Sequence, residues 1–490
     1  MMWSGCGVEV TLAIVALVAL FIYLTSNLDY WKKRGFPQIP GKPLPLFGNT
    51  FQMLTGRKSF SDMFEKLYKD AGDLPFAGMF HGTQPCLLVK DPELIKRILI
   101  KDFHAFMNRG FEIDEDLDPL NAKALSSLKG QRWKNMRARL SPTFTSGRMK
   151  AMLPMMQACS DELLKCLEED IRKNSGEALV EMKLFMIYPK LIKKLNLRLS
   201  VDEASVFFRN FVEEAVKRRE EAIDKGEGNG FGDFLHHLVL LKKTGIKVNE
   251  IKEEDDEDKN EFIKGDKEVS EVSWANISVD DLAAQAMLFF GAGFETTAAL
   301  LSSTLYELSK PGNGKEIQGR VREEVDRVMK EDGGKITYEG LKRMQLLDRV
   351  LNETLRIHPP AGALSRIAVE NYTIPGTDLK IEKNTMIFIS TYSMQHDEKF
   401  FSEPSKFDPD RFLHRNEWNH FSFLPFGDGP RLCIGERFAM LQVRQSLASL
   451  LSKFEFDLCV EKTPVPLKYA KVSFILASET GIWVKAKLRS

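Results

Sequence analysis

The chain has 490 residues, 43% hydrophobic and 28% charged, with 69 basic side chains against 69 acidic ones. That composition is globular and excludes collagen-like and disordered classes, and zero net charge excludes nucleic-acid binding through overall basicity. The six cysteines are irregularly spaced and form no CxxC, which argues against a disulfide framework or a zinc site and for a reducing compartment.

Residues 10–24, VTLAIVALVALFIYL, are an apolar run interrupted only by Thr11. The run is short against the roughly 20 residues that cross a bilayer. Residues 25–30 extend it at the interface, where Tyr30 and Trp31 suit the headgroup region. A cleaved signal peptide would carry its positive charge ahead of the run. Here residues 1–9 hold Glu9 and no Lys or Arg, while Lys32, Lys33 and Arg34 come after it. The pattern predicts an uncleaved anchor over 1–28 with a cytosolic body. Pro37, Pro40, Pro43 and Pro45 then predict an extended strap, which makes 29–50 a basic, Pro-rich linker ahead of a body at 51–490.

The body reads as mainly helical. Apolar residues fall at helical spacing over 131–140, 150–173 and 203–225. EIKEEDDEDKNEF, residues 250–262, is a charge run best read as a solvated loop. A long helix opens at Ser278, where Asp281 completes a capping box, and runs to Ser309 before Lys310, Pro311 and Gly312 stop it. At about 1.5 Å per residue it spans roughly 46 Å. Its apolar residues point in nearly all directions, which predicts a helix crossing the interior. Helices near 315–331 and 338–357 come next, then strand-like pieces around 364–391 and 471–488.

PFGDGPRLCIGERF, residues 425–438, crowds three glycines and two prolines around Cys433 and leads straight into a helical pattern. A thiolate is favoured by nearby positive charge, here Arg431, and by a helix N-terminus. Glycines let backbone N–H groups approach the sulfur. Such a loop suits a metal held through one cysteine, as haem iron is; a buried structural cysteine is the alternative for any lone thiol. In the long helix, Gly291 and Gly293 each weaken the interior by about 1 kcal/mol. They mark either a tight packing point or a distortion that lets a ligand lie against the backbone, with Glu295 and Thr296 projecting there as an acid–alcohol pair. GAGFET sits inside a helix, so it is no dinucleotide fingerprint.

FGDGPRLCIG, residues 426–435, resembles the haem-binding signature of the cytochrome P450 family, matching at Phe426, Gly429, Arg431, Cys433 and Gly435. GAGFETT is similar to the family's oxygen-activation motif and assigns cofactor contact to Ala292 and proton relay to Glu295 and Thr296. Glu353 and Arg356 in NETLRIHPP resemble its Glu-x-x-Arg pair, and Arg411 in FDPDRF the arginine that completes a buried structural triad. Trp133 and Arg137 in RWKNMRARL look like its Trp-x-x-x-Arg, which pairs with a haem propionate; Arg366 matches a further propionate position. The resemblance implies a helix-rich haem domain with small β-sheets behind an N-terminal transmembrane helix. It further implies haem b (heme, iron protoporphyrin IX) held through the Cys433 thiolate. Details such as YWKKRGFPQIPG are most like the microsomal detoxification clan, particularly its insect-type members.

On this resemblance the chain is expected to be a single-pass monooxygenase of the endoplasmic reticulum membrane, with its catalytic domain in the cytosol. It would insert one oxygen atom of O2 into small apolar molecules, xenobiotics or endogenous lipids and hormones. The chain has no flavin or nicotinamide fingerprint, so electrons from NADPH would arrive through NADPH–cytochrome P450 reductase, with cytochrome b5 as a further donor. Lys129, Arg132, Lys134, Arg139, Arg148 and Lys150 read either as a positive docking face or, equally, as a solvated helix face. Phe103, Phe106, Phe111 and Phe289 suggest an aromatic-lined cavity, with core packing an equally good account of them, while His358 and His396 read as ordinary surface or packing residues. One stretch departs from the family: only 51 residues separate Arg137 from Pro189, and a helical segment between about 138 and 188 is missing. Its absence would bare apolar faces on the long helix and on the helix after Cys433, at roughly 1.5–3 kcal/mol per large side chain. A haem-thiolate isomerase and a non-catalytic, truncated paralogue are the alternatives.

Overall fold

The computed structural model describes residues 4–110, 113–116, 118–182, 201–226, 233–245, 277–414, 418–471 and 475–489. The charge run at 250–262, the stretch around Pro189, Phe111, and residues 472–474 of the C-terminal strand-like piece lie outside the described residues. In chain order the main elements are α1 (Ser4–Thr25), α2 (Phe60–Asp70), β1 (Phe76–His81), β2 (Gln84–Val89), α3 (Gly130–Leu140), α4 (Ser146–Lys173), β3 (Ala178–Glu181), α5 (Val201–Asp224), α6 (Phe234–Thr244), α7 (Val279–Ser309) and α8 (Asn313–Glu331). They continue with α9 (Gln345–Ile357), β4 (Leu364–Ile367), β5 (Met386–Ile389), α10 (Glu436–Lys453), β6 (Phe454–Leu458) and β7 (Trp483–Leu488). The chain divides into two compact units: Met1–Gly110 with Gly362–Met394 and Lys471–Phe474, and Phe111–Ala361 with Gln395–Ala470 and Ile475–Ser490.

The first unit is built on a sheet of order β1–β2–β5–β4. β1 and β2 form an antiparallel hairpin, β5 runs parallel to β2, and β4 returns antiparallel. The proline strap is bound to this sheet: Ile39 N donates to Gly78 O at 3.1 Å, and Gly78 N donates to Pro37 O at 2.8 Å. Trp31 corrects the expectation of a headgroup residue. It is 1% exposed, and its indole N–H donates to Met79 O at 3.0 Å. Tyr30 Oη donates to Glu382 Oε2 at 2.8 Å. Both side chains thus have protein partners for the polar tips that would otherwise seek the bilayer interface. Ahead of them α1 has 22 residues, about 33 Å by the helical rise, and exposes Leu12, Ile14, Leu17 and Phe21 along its length.

The second unit packs α4, α7, α8, α9 and α10 around one core, flanked by the sheet β3–β7–β6. α7 carries the expected capping box: Asp281 N donates to Ser278 Oγ at 3.0 Å, and Ser278 N to Asp281 Oδ2 at 3.1 Å. The helix is unbroken through GAGFETT, so the expected distortion is absent from its described backbone. The single helix expected over 338–357 is two, Tyr338–Arg343 and Gln345–Ile357, because Met344 leaves helical dihedrals (φ −77°, ψ 74°). The second of these is capped from α8, where Glu324 accepts from Leu346 N and Leu347 N at 2.9 Å each. α10 is not bared as expected. Met440, Leu441, Leu447 and Leu451 are buried in the same core as Met149, Leu153 and Leu164 of α4, and Ser160 Oγ donates to Gln445 Oε1 at 2.8 Å across that contact. On α7 exposure centres on Phe290, at 63%, beside Gly291 and Ala292. Of the phenylalanines read as cavity lining or core packing, the described ones, Phe103, Phe106 and Phe289, pack against other side chains. Phe106 meets Tyr372 in the first unit, and Phe289 lies between Phe144 and Phe234 in the second.

Candidate active site

The loop before α10 turns twice through left-handed backbone, at Gly427 (φ 77°) and Gly429 (φ 69°), positions that an L side chain would strain. Asp428 Oδ1 accepts from Gly429 N at 2.7 Å, and its Oδ2 meets His420 Nε2 at 2.6 Å. Cys433 N then donates to Phe426 O at 3.0 Å and closes the loop on itself, with Phe426 packed against the core. Gly435 is the N-cap residue of α10, so the half-buried Cys433 sits at a helix N-terminus, where partial positive charge favours a thiolate.

Two residues ahead of the cysteine, Arg431 is 3% exposed. Its guanidinium lies 3.9 Å from the centroid of the Trp133 ring, and Nη2 donates to Leu128 O at 2.8 Å. Arg137, one helical turn after Trp133 on α3, is 4% exposed and donates from Nη1 to Leu432 O at 3.1 Å. Cys433, Phe426, Arg431, Gly435, Trp133 and Arg137 are therefore one assembly. The sequence separation between α3 and the loop hides that contact, and the stacking of Arg431 on Trp133 has no signal in either motif.

On α7, Thr296 Oγ1 donates to Ala292 O at 2.6 Å. Glu295 lines a small cleft together with Glu181, Ser302, Leu476 and Ile482. Beyond its own helix, a Cβ at Gly291 or Gly293 would meet no atom of the described residues within 4 Å, so among those residues neither glycine is the tight packing point that sequence allowed.

Glu353 and Arg356 are both fully buried. Arg356 forks onto the carboxylate, Nε to Oε2 at 2.7 Å and Nη2 to Oε1 at 2.8 Å, and Nη1 donates to Gln395 O at 2.8 Å. Asp408 N also donates to Glu353 Oε1 at 2.9 Å. Arg411 stands at ion-pair distance, 3.4 Å, and gives its Nη2 proton to Glu403 O. Burial pushes the Glu353 carboxyl up from its ordinary value, and the Arg356 fork opposes it. Gln395, which sequence reading missed, donates to Leu355 O and Arg356 O and accepts from Leu424 N. It ties the ion pair to the start of the cysteine loop.

Of the two expectations for His358, packing is the one the structure bears out. It is 6% exposed and bonds Glu307 Oε1 at 2.8 Å and Tyr469 Oη at 2.7 Å. Burial alone would raise the Glu307 carboxyl; His358 and Lys310 leave it below its ordinary value. Of the basic face expected on and near α3, Arg132, Arg148 and Lys150 are exposed, while burial lowers Arg139 from the usual arginine range.

Arg366 belongs to the first unit, on β4 opposite Ile387 of β5. It is 2% exposed, its Nη1 donates to the neighbouring Ser365 O, and its Nε has no acceptor among the described residues. Burial first, and then the charge of Arg109, pull the guanidinium down to about 9. A buried cation with an orphaned donor and a second arginine beside it is a donor set for an anion, and so fits the carboxylates of a group such as haem. Within the second unit, the open helix backbone at Gly291 and Gly293 fits the flat, apolar body of such a group.

Arg366→Met is expected to stabilise the haem-free chain by about 1–3 kcal/mol, because it removes an unsatisfied buried charge. Folded Arg366 releases its proton at lower pH than the unfolded chain does, so the unfolded state binds more protons above about pH 9 and stability rises with pH there. The advantage of the variant should therefore shrink as pH rises through that value, as urea midpoints of haem-free protein would show.

The family model for Cytochrome P450 matches residues 37–191 and again 180–484. Cytochrome P450 6k1 of Blattella germanica is 34% identical over 528 aligned positions, covering 98% of this chain and 97% of the relative. Cytochrome P450 6a2 of Drosophila melanogaster is 33% identical, covering 97% and 98%. Cytochrome P450 9e2 of Blattella germanica is 32% identical, covering 97% of each.

Proposed function

The chain belongs to the cytochrome P450 family, haem monooxygenases with a cysteine thiolate ligand, and from that premise we propose that Cys433 holds the iron of haem b. The observation that carries this reading is the closed loop itself: left-handed turns at Gly427 and Gly429, the Cys433 N to Phe426 O bond, and α10 opening directly after Gly435. A cysteine that merely packs needs none of these.

Haem held there by the Cys433 thiolate would supply the activation of dioxygen. The chain supplies the rest. In the second unit Trp133, Arg137 and Arg431 would hold a propionate; in the first unit Arg366 is a donor of the same kind, suited to a carboxylate. Ala292, Gly291 and Gly293 keep the helix backbone accessible beside the reacting centre. The Thr296 proton is committed to Ala292 O, which leaves the hydroxyl oxygen to accept from a water. Glu295, at the neighbouring position, delivers protons to that water. Residues 1–28 anchor the chain in the endoplasmic reticulum membrane with 51–490 as a cytosolic catalytic domain. NADPH–cytochrome P450 reductase, with cytochrome b5 as a further donor, supplies electrons. The substrates are small apolar molecules.

The test is the spectrum of the reduced, carbon monoxide-treated protein: a strongly red-shifted Soret band is expected, and a band at the position of a neutral ligand overturns the reading. A second reading, a truncated paralogue with low haem occupancy, has its own support. The alignment with the 6k1 protein runs over 528 positions against 490 residues here, so at least 38 have no counterpart in this chain. The two family matches overlap at 180–191, beginning within β3. Haem content well below one per chain, with a weak red-shifted band, would favour it.

A further inference from the structure

Gln285 lies on α7 about 15 Å along the helix from Glu295 and is 1% exposed. Its side-chain amide meets the backbone that follows the short helix Pro119–Lys123. Oε1 accepts from Leu125 N at 2.9 Å, and Nε2 donates to Lys123 O at 2.9 Å. One acceptor and one donor are both used, as an adjacent strand would use them. The same backbone is held from its other side by the cysteine loop. Arg431 Nη1 donates to Leu125 O at 3.4 Å and Nη2 to Leu128 O at 2.8 Å, while Trp133 covers the face of the guanidinium. Leu125 therefore gives its N–H to the long helix and its carbonyl to the loop.

We propose that Gln285 is a positioning residue for the cysteine loop. Through Leu125 it sets where Arg431 stands, and with Arg431 the Trp133 ring and the arm of the loop that enters Cys433. The proposal rests on the reading of Cys433 as the haem ligand. Because Gln285 shares a helix with Ala292, Glu295 and Thr296, a movement of α7 is passed to the loop through two hydrogen bonds on one side of Leu125 and one on the other. Neither the sequence motifs nor the helical pattern assigns Gln285 a role, since a polar residue in the first third of a long helix usually faces water.

The test uses the full chain with haem bound and compares Gln285→Leu and Gln285→Glu with the parent. Leucine removes both bonds at similar volume; glutamate keeps the acceptor for Leu125 N and loses the donor to Lys123 O. In Gln285→Leu, amide exchange at Leu125 should accelerate, haem transfer to apomyoglobin should quicken by about tenfold, the lower end for loss of an outer-shell partner, and part of the reduced carbonyl spectrum should move to the neutral-ligand position. Gln285→Glu should fall between, and it decides the matter if the leucine variant does not fold. Exchange, transfer rate and spectrum all within about twofold of the parent would overturn the proposal. So would exchange that accelerates equally across α9, which would mean general destabilisation. If the parent itself lacks the red-shifted band, the haem-thiolate reading fails, while exchange at Leu125 in haem-free protein still decides whether Gln285 holds that segment.

Discussion

Cys433→Ser is expected to abolish the red-shifted Soret band and to lower turnover by more than the roughly 10–100-fold cost of losing an outer-shell partner. The substitution is nearly isosteric, and the geometry it leaves intact makes it informative. The bond from residue 433 N to Phe426 O belongs to the backbone, and the turns at Gly427 and Gly429 are set by dihedrals that the side chain does not touch. Arg137 still donates to Leu432 O, and Arg431 still covers Trp133. A thiol reaches its anion easily at a helix N-terminus beside positive charge, whereas a serine hydroxyl stays neutral and offers the iron a poor donor. The thermal midpoint of the haem-free chain should therefore barely move, while the haem-loaded protein loses colour and product formation. A purely structural cysteine gives the opposite pair of results: a lower midpoint with an unchanged spectrum. A serine variant with undiminished turnover overturns the assignment of the ligand.

The motifs legible in sequence are those whose meaning is local. The capping box at Ser278, the helix stop at Pro311 and the glycine-loosened loop that leads into a helix at Cys433 depend on residues a few positions apart, and each is found as read. What sequence left hidden depends on distant residues meeting. Trp31 is one case: an indole next to an apolar run and three cations reads as a membrane-interface residue, yet it is buried because Gly78, far along the chain, leaves room for it on β1. His358 carries no pattern of its own and becomes informative only when α7 brings Glu307 to it and the C-terminal segment brings Tyr469. The break at Met344 likewise needs Glu324 from α8. For the candidate site, residue types were readable and partnerships were not. Arg431 and Trp133 belong to separate motifs, and only the fold stacks one on the other.

Arg356→Leu is expected to destabilise the second unit by about 3–5 kcal/mol, the cost of leaving one partner of a buried ion pair uncompensated. Against a total stability of about 5–15 kcal/mol, that is about a fifth or more of it, and near the lower bound it leaves much of the chain unfolded. The groups left behind set that cost. Glu353 would keep Asp408 N and the more distant Arg411 but lose both prongs of the fork. The Gln395 and Lys406 carbonyls would lose a donor as well. Gln395 also accepts from Leu424 N, so the loss reaches the entry of the cysteine loop, and haem retention should fall alongside the urea midpoint. The double variant Glu353→Leu with Arg356→Leu separates charge from packing. With no buried charge left behind, it should recover part of the loss, as replacement of a buried pair by apolar residues often does, though the carbonyls of Gln395 and Lys406 stay unsatisfied. A double variant no more stable than Arg356→Leu alone would mean that the pair acts through those carbonyls and not through its charge. A single variant within about 1 kcal/mol of the parent, the range of an exposed pair, would mean that the fork contributes no more than a surface contact.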